Sequence, residues 1–582
     1  MKSSKPQVLS GLWCAKIPSG SRNRHLIQFL GRSTSADRGV RITFTWAWSG
    51  QEVFMRFGKW MSTRAVLLLV ILATPLGAFG QQSRTQQQSG APHYKLVDIG
   101  TFGGGAKGVS DHPQRLRYRV IDVGTFGGAT SLTNASRIEN NAGTVAGEAD
   151  TDQPCPYSGG FSIVISPAFR WRDGNLENIG LLPGGCFSLP NGINASGDIV
   201  GSSDNGLLDP LTGLPEIRAD FRHNGNVLNL GTFGGANSLA ADINDHGTAV
   251  GGAENTELDP FNFGGVLLGL PSPTAWRAFR WNGGKIRDIG TLGGPDAFAV
   301  IVNKYDEISG VSFVDDTRNP TTDYPTVGAF FWKNGKMQDV GTLGGVFTGM
   351  TYLNDRGEVF GSSDLADDLE AHAYVWSLQR GITDLGVLGG TFSNANWANN
   401  YGDIVGGSTT ANNDAFHAVR WRNGVIEDLG TGPNTCSNAF QVNERGEIAG
   451  QGFNCDNSGV PHALLWERDG PALDLNDFLP PNSNLLLAET HFINDRGQIV
   501  AVALLPDGSP HIAILVPCDY DEPEGCRTAR VERAGPAQAA NASEGRRRLT
   551  PEVLAEIRSR ATHKFRGFTA TSPSAGPRTN VH

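Results

Sequence analysis

From Asp122 onward an Asx-apolar-Gly step returns at seven repeat positions, and in most copies Gly-Gly follows within a few residues. The fullest copies are Asp122-Val123-Gly124-Thr125-Phe126-Gly127-Gly128, Asn229-Leu230-Gly231-Thr232-Phe233-Gly234-Gly235, Asp288-Ile289-Gly290-Thr291-Leu292-Gly293-Gly294 and Asp339-Val340-Gly341-Thr342-Leu343-Gly344-Gly345. Shorter copies lie at Asn178-Ile179-Gly180, Asp384-Leu385-Gly386 and Asp428-Leu429-Gly430, and an eighth, Asp474-Leu475-Asn476, lacks its glycine. The copies are 44 to 59 residues apart. That period belongs to propellers and arrays, in which one unit cannot bury its apolar face alone and must stack on the next.

The stretch from Ala240 to Gly290 shows what one unit contains. Ala241-Asp242-Ile243-Asn244 alternates, Asp245-His246-Gly247 is turn chemistry, and Thr248-Ala249-Val250-Gly251 is a second short strand. After a variable loop come Ala278-Phe279-Arg280-Trp281, a turn at Asn282-Gly283, and Lys285 to Gly290. Asn-Gly between such runs signals a hairpin, because both turn residues must take positive φ. It recurs at Asn224-Gly225, Asn334-Gly335 and Asn423-Gly424, with Asp173-Gly174 and Asp469-Gly470 as equivalents. Each unit therefore reads as four strands, a to d, with the a-b and c-d turns on one edge. The variable b-c loop and the Gly-Gly connection to the next unit fall on the other.

Four-stranded meanders at this spacing are the blades of a β-propeller. Complete a-b-c sets begin near residues 130, 186, 237, 296, 347, 391, 435 and 488. The last set ends at His511 to Pro517 without a strand d, whereas Tyr118-Arg119-Val120-Ile121-Asp122 has a strand d pattern with no set before it. Pairing the two closes a ring and hides both edges. The expected fold is all-β: an eight-bladed propeller of four-stranded blades with N/C-terminal strand closure, seven blades being the alternative. Tyr94 to Gly104 nearly duplicates Tyr118 to Gly128. Only one copy can close the ring, and the second is expected to, because its unit follows without a gap.

The ends read differently. Met61-Ser62-Thr63-Arg64, the apolar run Ala65 to Leu76 and the small-x-small site Ala78-Phe79-Gly80 form a secretion signal, and the run is too short to span a membrane comfortably. The expected division is 1–54 as an over-extended start or leader, 55–80 as signal peptide, 81–117 as a segment with the duplicate strand, and 118–517 as the propeller. Residues 518–582 would supply a disulfide loop, a short helix from Thr550 and a disordered tail. Residues 1–80 hold eleven Lys or Arg against Asp37 and Glu52, so the remainder carries roughly −19 against −10 for the whole chain. So acidic a surface argues against nucleic acid. Outside the leader the cysteines form an even set of six, suited to an oxidising compartment. Six allow fifteen pairings, of which proximity favours Cys155 with Cys186, Cys436 with Cys455, and Cys518 with Cys526.

Three elements recur in order: Asp-Leu/Ile-Gly-Thr-Leu/Phe-Gly-Gly, Ile-Asn-x-x-Gly-x-Val-x-Gly and His-Ala-x-x-Trp. The third reads His372-Ala373-Tyr374-Val375-Trp376, His417-Ala418-Val419-Arg420-Trp421, His462-Ala463-Leu464-Leu465-Trp466 and Arg277-Ala278-Phe279-Arg280-Trp281. Over residues 94–517 this resembles the bacterial HAF family of extracellular repeats, although no copy is a perfect His-Ala-Phe. The resemblance implies an exported bacterial repeat protein and no defined activity.

The repeated polar residues read as architecture. His372, His417, His462 and His511 share one register of strand c and should stand a blade apart, beyond shared metal ligation at about 2.1 Å. Trp171, Trp281, Trp332, Trp376, Trp421 and Trp466 read as core between blades. Asp245, Asp355 and Asp495 are expected to cap their own a-b turns. No catalytic, cofactor or metal residue is assigned, since calcium-loop and G-x-S-x-G patterns are absent. Function is expected where the repeats differ, in the long b-c loops near 148–166, 202–218, 252–276 and 311–327. Candidate ligand-face residues there are Asp209, Asp259, Phe261, Phe263, Asp315, Asp316 and Tyr324. The expectation is a secreted, extracellular or cell-envelope protein, the periplasm included. It would be monomeric, with no transmembrane span and no cofactor, and would bind a protein or glycan without catalysis. The alternatives are a propeller enzyme acting on extracellular polysaccharide, hydrolase or lyase, and a structural envelope or adhesion protein.

Overall fold

The computed structural model describes residues 44–48, 51–55, 118–518 except 135, 158–163, 271, 321, 367, 457 and 481–482, and 532–533. Met1–Val109 and Ser110–His582 are separate compact units. In the first, Phe44–Trp48 pairs antiparallel with Gln51–Met55. The signal peptide expected over 55–80, apart from Met55, lies outside the described residues, as do the duplicate strand and the helix expected after Thr550. Among the described residues no helix is long and apolar enough to cross a membrane.

The second unit is all-β and built of four-stranded antiparallel sheets, the last of which gains Glu532–Arg533 as a fifth strand parallel to Ile121–Asp122. The first sheet runs Gly127–Leu132, Val145–Thr151, Ala168–Arg172 and Asn175–Gly180 in chain order. The same order repeats in sheets that open with Ser188–Ile193, Ser238–Ile243, Ala297–Val302, Gly344–Leu353, Gly389–Ala398 and Cys436–Val442. Three of these are joined side by side through single parallel pairs, Val327 with Phe347 and Ala371 with Phe392. The last sheet takes Leu486–Ile493, Ile499–Leu504 and Pro510–Pro517 from the C-terminal side and Tyr118–Asp122 from the N-terminal side. Tyr118 faces Pro517 and Asp122 faces Ala513 in that antiparallel pair. The second copy of the duplicated strand therefore occupies the slot.

The turns follow from residue chemistry. Both residues take positive φ at Asp173-Gly174, Asn224-Gly225, Asn334-Gly335 and Asn423-Gly424, the geometry that Asn and Gly tolerate and a two-residue hairpin requires. At Asn282-Gly283 the turn moves on by one residue, so that Gly283 and Gly284 carry the positive φ. At the expected Asp469-Gly470 turn the positive φ falls on Arg468 instead.

The recurring Asx-apolar-Gly step is an Asx-turn. The Asx Oδ1 accepts the N–H two residues on at 2.7–2.9 Å in all eight copies, including Asp474 with Asn476. The Gly-Gly that follows meets a different demand at each position. Gly127 has φ +107°, and a Cβ on Gly128 would stand 2.3 Å from Asp150 Cβ and 2.6 Å from Thr151 O. The connection thus lies against the end of strand b of the next sheet, too close for any side chain.

The a-b turns are held by the asparagine of the Ile-Asn element. Asn244 Oδ1 accepts from His246 N and Thr248 N at 3.0 Å, while its amide donates to Asn303 O of the following sheet at 2.9 Å. Equivalent amide bonds run from Asn140 to Asn194 O, Asn194 to Asn244 O, Asn303 to Asn354 O, Asn399 to Asn443 O and Asn443 to Asn494 O. Asn494 then donates to Asn140 O at 3.4 Å, which joins the last sheet to the first. The aspartates beside them do not cap their own turns as expected. Asp245 accepts Ala195 N, Asp355 accepts Lys304 N and Asp495 accepts Glu444 N, each from the preceding sheet. The asparagine already satisfies the turn, which frees the carboxylate to reach backward.

The core lies between sheets. Trp171, Trp281, Trp376, Trp421 and Trp466 are buried, whereas Trp332 is half-buried against the core cluster of Val302, Ile308 and Phe330. In the second sheet the tryptophan register is filled by Arg222, buried and hydrogen-bonded to Asp220, Ser188 and Ser203. Disulfides join Cys155 to Cys186 and Cys436 to Cys455. Cys518 is also disulfide-bonded, and Cys526 lies outside the described residues.

Candidate binding face and convergent centre

The b-c loops are fixed by their own polar residues before any side chain is presented outward. Asp209 is buried and accepts Leu211 N at 2.9 Å and Thr212 Oγ1 at 2.7 Å. Asp259 accepts Phe261 N at 2.7 Å and Phe263 N at 2.6 Å. Burial raises the Asp259 carboxyl, and those two bonds oppose the rise without cancelling it.

Phe263 does not face a ligand: it is fully buried, with its ring 5.1 Å from Phe313 at 84°. Phe261 and Tyr324 are half-buried against the same ring, and Arg318 lies 5.0 Å above Phe261. The aromatic content of these loops therefore turns inward and joins the core between sheets that holds Trp276, Phe298 and Phe313. Of the seven candidates only Asp315 and Asp316 are exposed, and Asp315 accepts Thr317 N at 2.8 Å.

What the loops do present is leucine. Leu207, Leu208 and Leu211 are 60, 57 and 63% exposed on the b-c loop of the second sheet, and Leu258 is 76% exposed on that of the third. Ile199–Leu208 and Ala249–Leu258 are ten-residue strands that outrun strand a and end paired with strand c alone, Leu208 with Pro215 and Leu258 with Thr274, so these leucines stand at or just beyond the tips of two-stranded ribbons. The sequence carried only a weak signal for them, since single exposed leucines are ordinary and only their grouping is not.

Beside this crest a cavity of about 610 Å³ opens between the second and third sheets. Its lining includes Asn205, Arg218, Asn229, Phe233, Lys285 and Ile286. Arg218 binds Glu216 at 2.5 Å, and Asn205 donates to the same carboxylate at 2.8 Å.

A second candidate is the place where the first strands of the sheets converge. These strands carry a β-bulge at the same point from the second sheet onward. The bulge residues reach the neighbouring first strand: Asn191 donates to Ala240 O at 2.7 Å, Thr351 to Ala395 O at 2.5 Å and Asn396 to Ala439 O at 2.7 Å. Sheets that are not neighbours also meet. Arg137 Nη1 of the first stands 3.6 Å from Asp242 Oδ2 of the third, and Trp397 packs edge-on to Phe492 with one sheet between them. Tyr352 stacks on Trp397 at 3.9 Å.

Burial raises the Asp242 carboxyl, with Arg137 and the Val302 N–H opposing. Burial also raises the Tyr352 hydroxyl. Thr133 Oγ1 meets His491 Nδ1 at 2.7 Å, and His491 Nε2 meets Glu489 Oε1 at 3.1 Å. A hydroxyl, imidazole and carboxylate in line could relay a proton. Here Thr133 and His491 are both buried, and the chain ties the last sheet to the first.

The repeated histidines have partners in their own sheets. His372, His417, His462 and His511 bind Asp384, Asp428, Asp474 and Asp122 at 2.6–2.9 Å. In the third sheet Arg277 takes the same place on Asp288 at 2.9 Å. Among the described residues no group of three His, Cys, Asp or Glu could hold a metal ion.

No family model matches the chain. No curated protein matches it either. Among solved structures, TolB from Acinetobacter baumannii aligns at 11% identity and a TM-score of 0.26, over 55% of this chain and 81% of that one. An AofleA mutant from Arthrobotrys oligospora aligns at 12% and 0.24, over 62% and 86%. Kuenenia stuttgartiensis hydrazine synthase aligns at 9% and 0.26, over 52% of this chain and 43% of that one. Scores of this size assign no fold by likeness, so the architecture rests on the chain's own strand pairing and hydrogen bonds.

Proposed function

We propose that the sheets from residue 118 to 517 are the eight blades of a closed β-propeller, and that the protein is an exported, non-catalytic scaffold that binds a protein partner. Closure is supported by Tyr118–Asp122 completing the last sheet and by the Asn494 and Gln498 side chains bonding the backbone of the first. The contacts between non-neighbouring sheets support a common axis. Export, to the exterior or to the cell envelope, is supported by the signal-like segment and by disulfides in the mature region, which suit an oxidising compartment. The HAF-type repeat remains the family reading of the sequence.

The leucine crest carries the binding proposal. Four leucines, each more than half exposed, stand at or just beyond the ends of two strands whose loops are held by buried aspartate caps and a buried phenylalanine cluster. A rigid apolar surface fits a protein better than a glycan, because it offers little to hydroxyl groups. The polysaccharide-enzyme alternative would draw on the carboxylates of the centre. Asp242 is held by Arg137 and Val302 N, and Glu489 by His491, which favours the binder.

The test is a Leu208→Asp/Leu258→Asp variant of the secreted protein in chemical crosslinking against extracellular proteins of the producing cell. A crosslinked partner seen with the parent and absent with the variant is expected. An identical crosslinking pattern would remove the crest from consideration.

A further inference from the structure

We infer that the cavity between the second and third sheets takes a carboxylate side chain carried on an apolar peptide segment of the partner. This rests on the loop face being a protein-binding surface and adds to it a second, polar point of recognition. In the other sheets that keep the pair, the Asx carboxylate that ends strand d is neutralised at home, by histidine or by Arg277. The second sheet departs at both positions. Its Asx is Asn229, which has no charge, and Arg218, in the histidine register, turns instead to Glu216. Arg218 also reaches Gly235 O at 3.4 Å through Nη1, leaving further N–H groups for another acceptor.

Lys285 lines the same cavity, is exposed, and has no ion-pair partner among the described residues. Arg218, paired with Glu216, and Lys285 therefore bring two cations to the cavity, in a chain whose residues after 80 carry about −19. An ionic site against the sign of the whole is a local device. At physiological ionic strength charges beyond about 8 Å are screened, so the cavity and not the molecule sets the attraction. Phe233, Leu230 and Ile286 supply an apolar wall. Asn205 lies on the strand that ends in Leu207 and Leu208, so cavity and crest are continuous. An acid head beside an apolar stem is the chemistry that fills both.

The probes are synthetic octapeptides with one glutamate flanked by leucine or isoleucine, their glutamine counterparts, and oligogalacturonate as a carboxylated carbohydrate, measured by fluorescence anisotropy on the full protein. Glutamate peptides should bind, and glutamine peptides should bind roughly tenfold more weakly, the loss of one charge-assisted hydrogen bond. Lys285→Ala should remove about that preference and Lys285→Arg should keep it, with affinity falling as salt rises. Equal binding of glutamate and glutamine peptides, indifference to Lys285→Ala, tighter binding of oligogalacturonate, or no peptide binding would each overturn the inference. If Leu208→Asp abolishes peptide binding and Lys285→Ala does not change it, the crest stands and the cavity falls.

Discussion

Replacing Asn494 by alanine tests whether the last sheet meets the first as tightly as any other neighbours meet. Asn494 is 2% exposed. Its Oδ1 accepts Arg496 N at 2.9 Å and Gln498 N at 3.0 Å, and its amide donates to Glu139 Oε1 at 2.8 Å. Truncation removes those bonds and leaves buried N–H groups without an acceptor. A lost hydrogen bond is worth about 1 kcal/mol and an unsatisfied buried group about 1–3 kcal/mol, so the variant should lose about 3 kcal/mol. Asn303→Ala is the comparison, since Asn303 accepts Tyr305 N and Glu307 N and donates to Asn354 O in the same way, at 2.9, 3.1 and 3.1 Å. Both variants should shift the urea midpoint by similar amounts, read by tryptophan fluorescence with unchanged slope. The reasoning fails if Asn303→Ala shows its full cost and Asn494→Ala lies within about 0.5 kcal/mol of the parent, the range of ordinary surface changes. The seam between last and first would then be loose and the ring open.

Three further outcomes are expected. Asp296 is fully buried, and its carboxyl is pushed up to about 8, first by burial and then by Asp259, against the opposing Trp276 N–H. A buried acid with a raised pKa keeps its proton in the folded state while the unfolded chain releases it, so stability should fall as pH rises from about 4 to about 8. Asp296→Asn should flatten that decline by a few kcal/mol in urea titrations at pH 5 and 8, and parallel curves would exclude it. Gly128→Ala should cost several times more than Gly124→Ala, because a Cβ on the first meets backbone at 2.6 Å and one on the second meets nothing within 4 Å, leaving only a φ penalty of about 1–2 kcal/mol. Phe263→Ala should lower stability by about 3–5 kcal/mol as a core deletion, whereas the same change at half-buried Phe261 should cost clearly less.

The period of the Asx-Gly step, the Asn-Gly turns and the unmatched strand at Tyr118 were enough to read an all-β chain of four-stranded units, because each is a local signal with its own geometric cause. The near-neighbour cysteine pairs Cys155–Cys186 and Cys436–Cys455 were legible for the same reason, as were the buried tryptophans and the histidines bonded within their own sheets. What crosses from one unit to the next was not legible. Asn244 and Asp245 look alike as turn residues, yet one satisfies its own turn and bonds the following sheet while the other reaches the preceding one. Only the packing of sheets assigns those directions.

The same holds for the loops. Sequence marked them by length and variability, and picked Phe261, Phe263 and Tyr324 for their aromatic character. Those rings pack onto Phe313 at the end of the strand Ile308–Phe313 and join the core between sheets, while the leucines were left outside. Glu139, which fills the apolar position before the turn asparagine, shows the limit from the other side. Burial pushes its carboxyl well up, against the Asn494 amide that bonds it. Which side of a strand meets water is decided by what stacks on it, and that is a property of the assembled sheets and not of any one repeat.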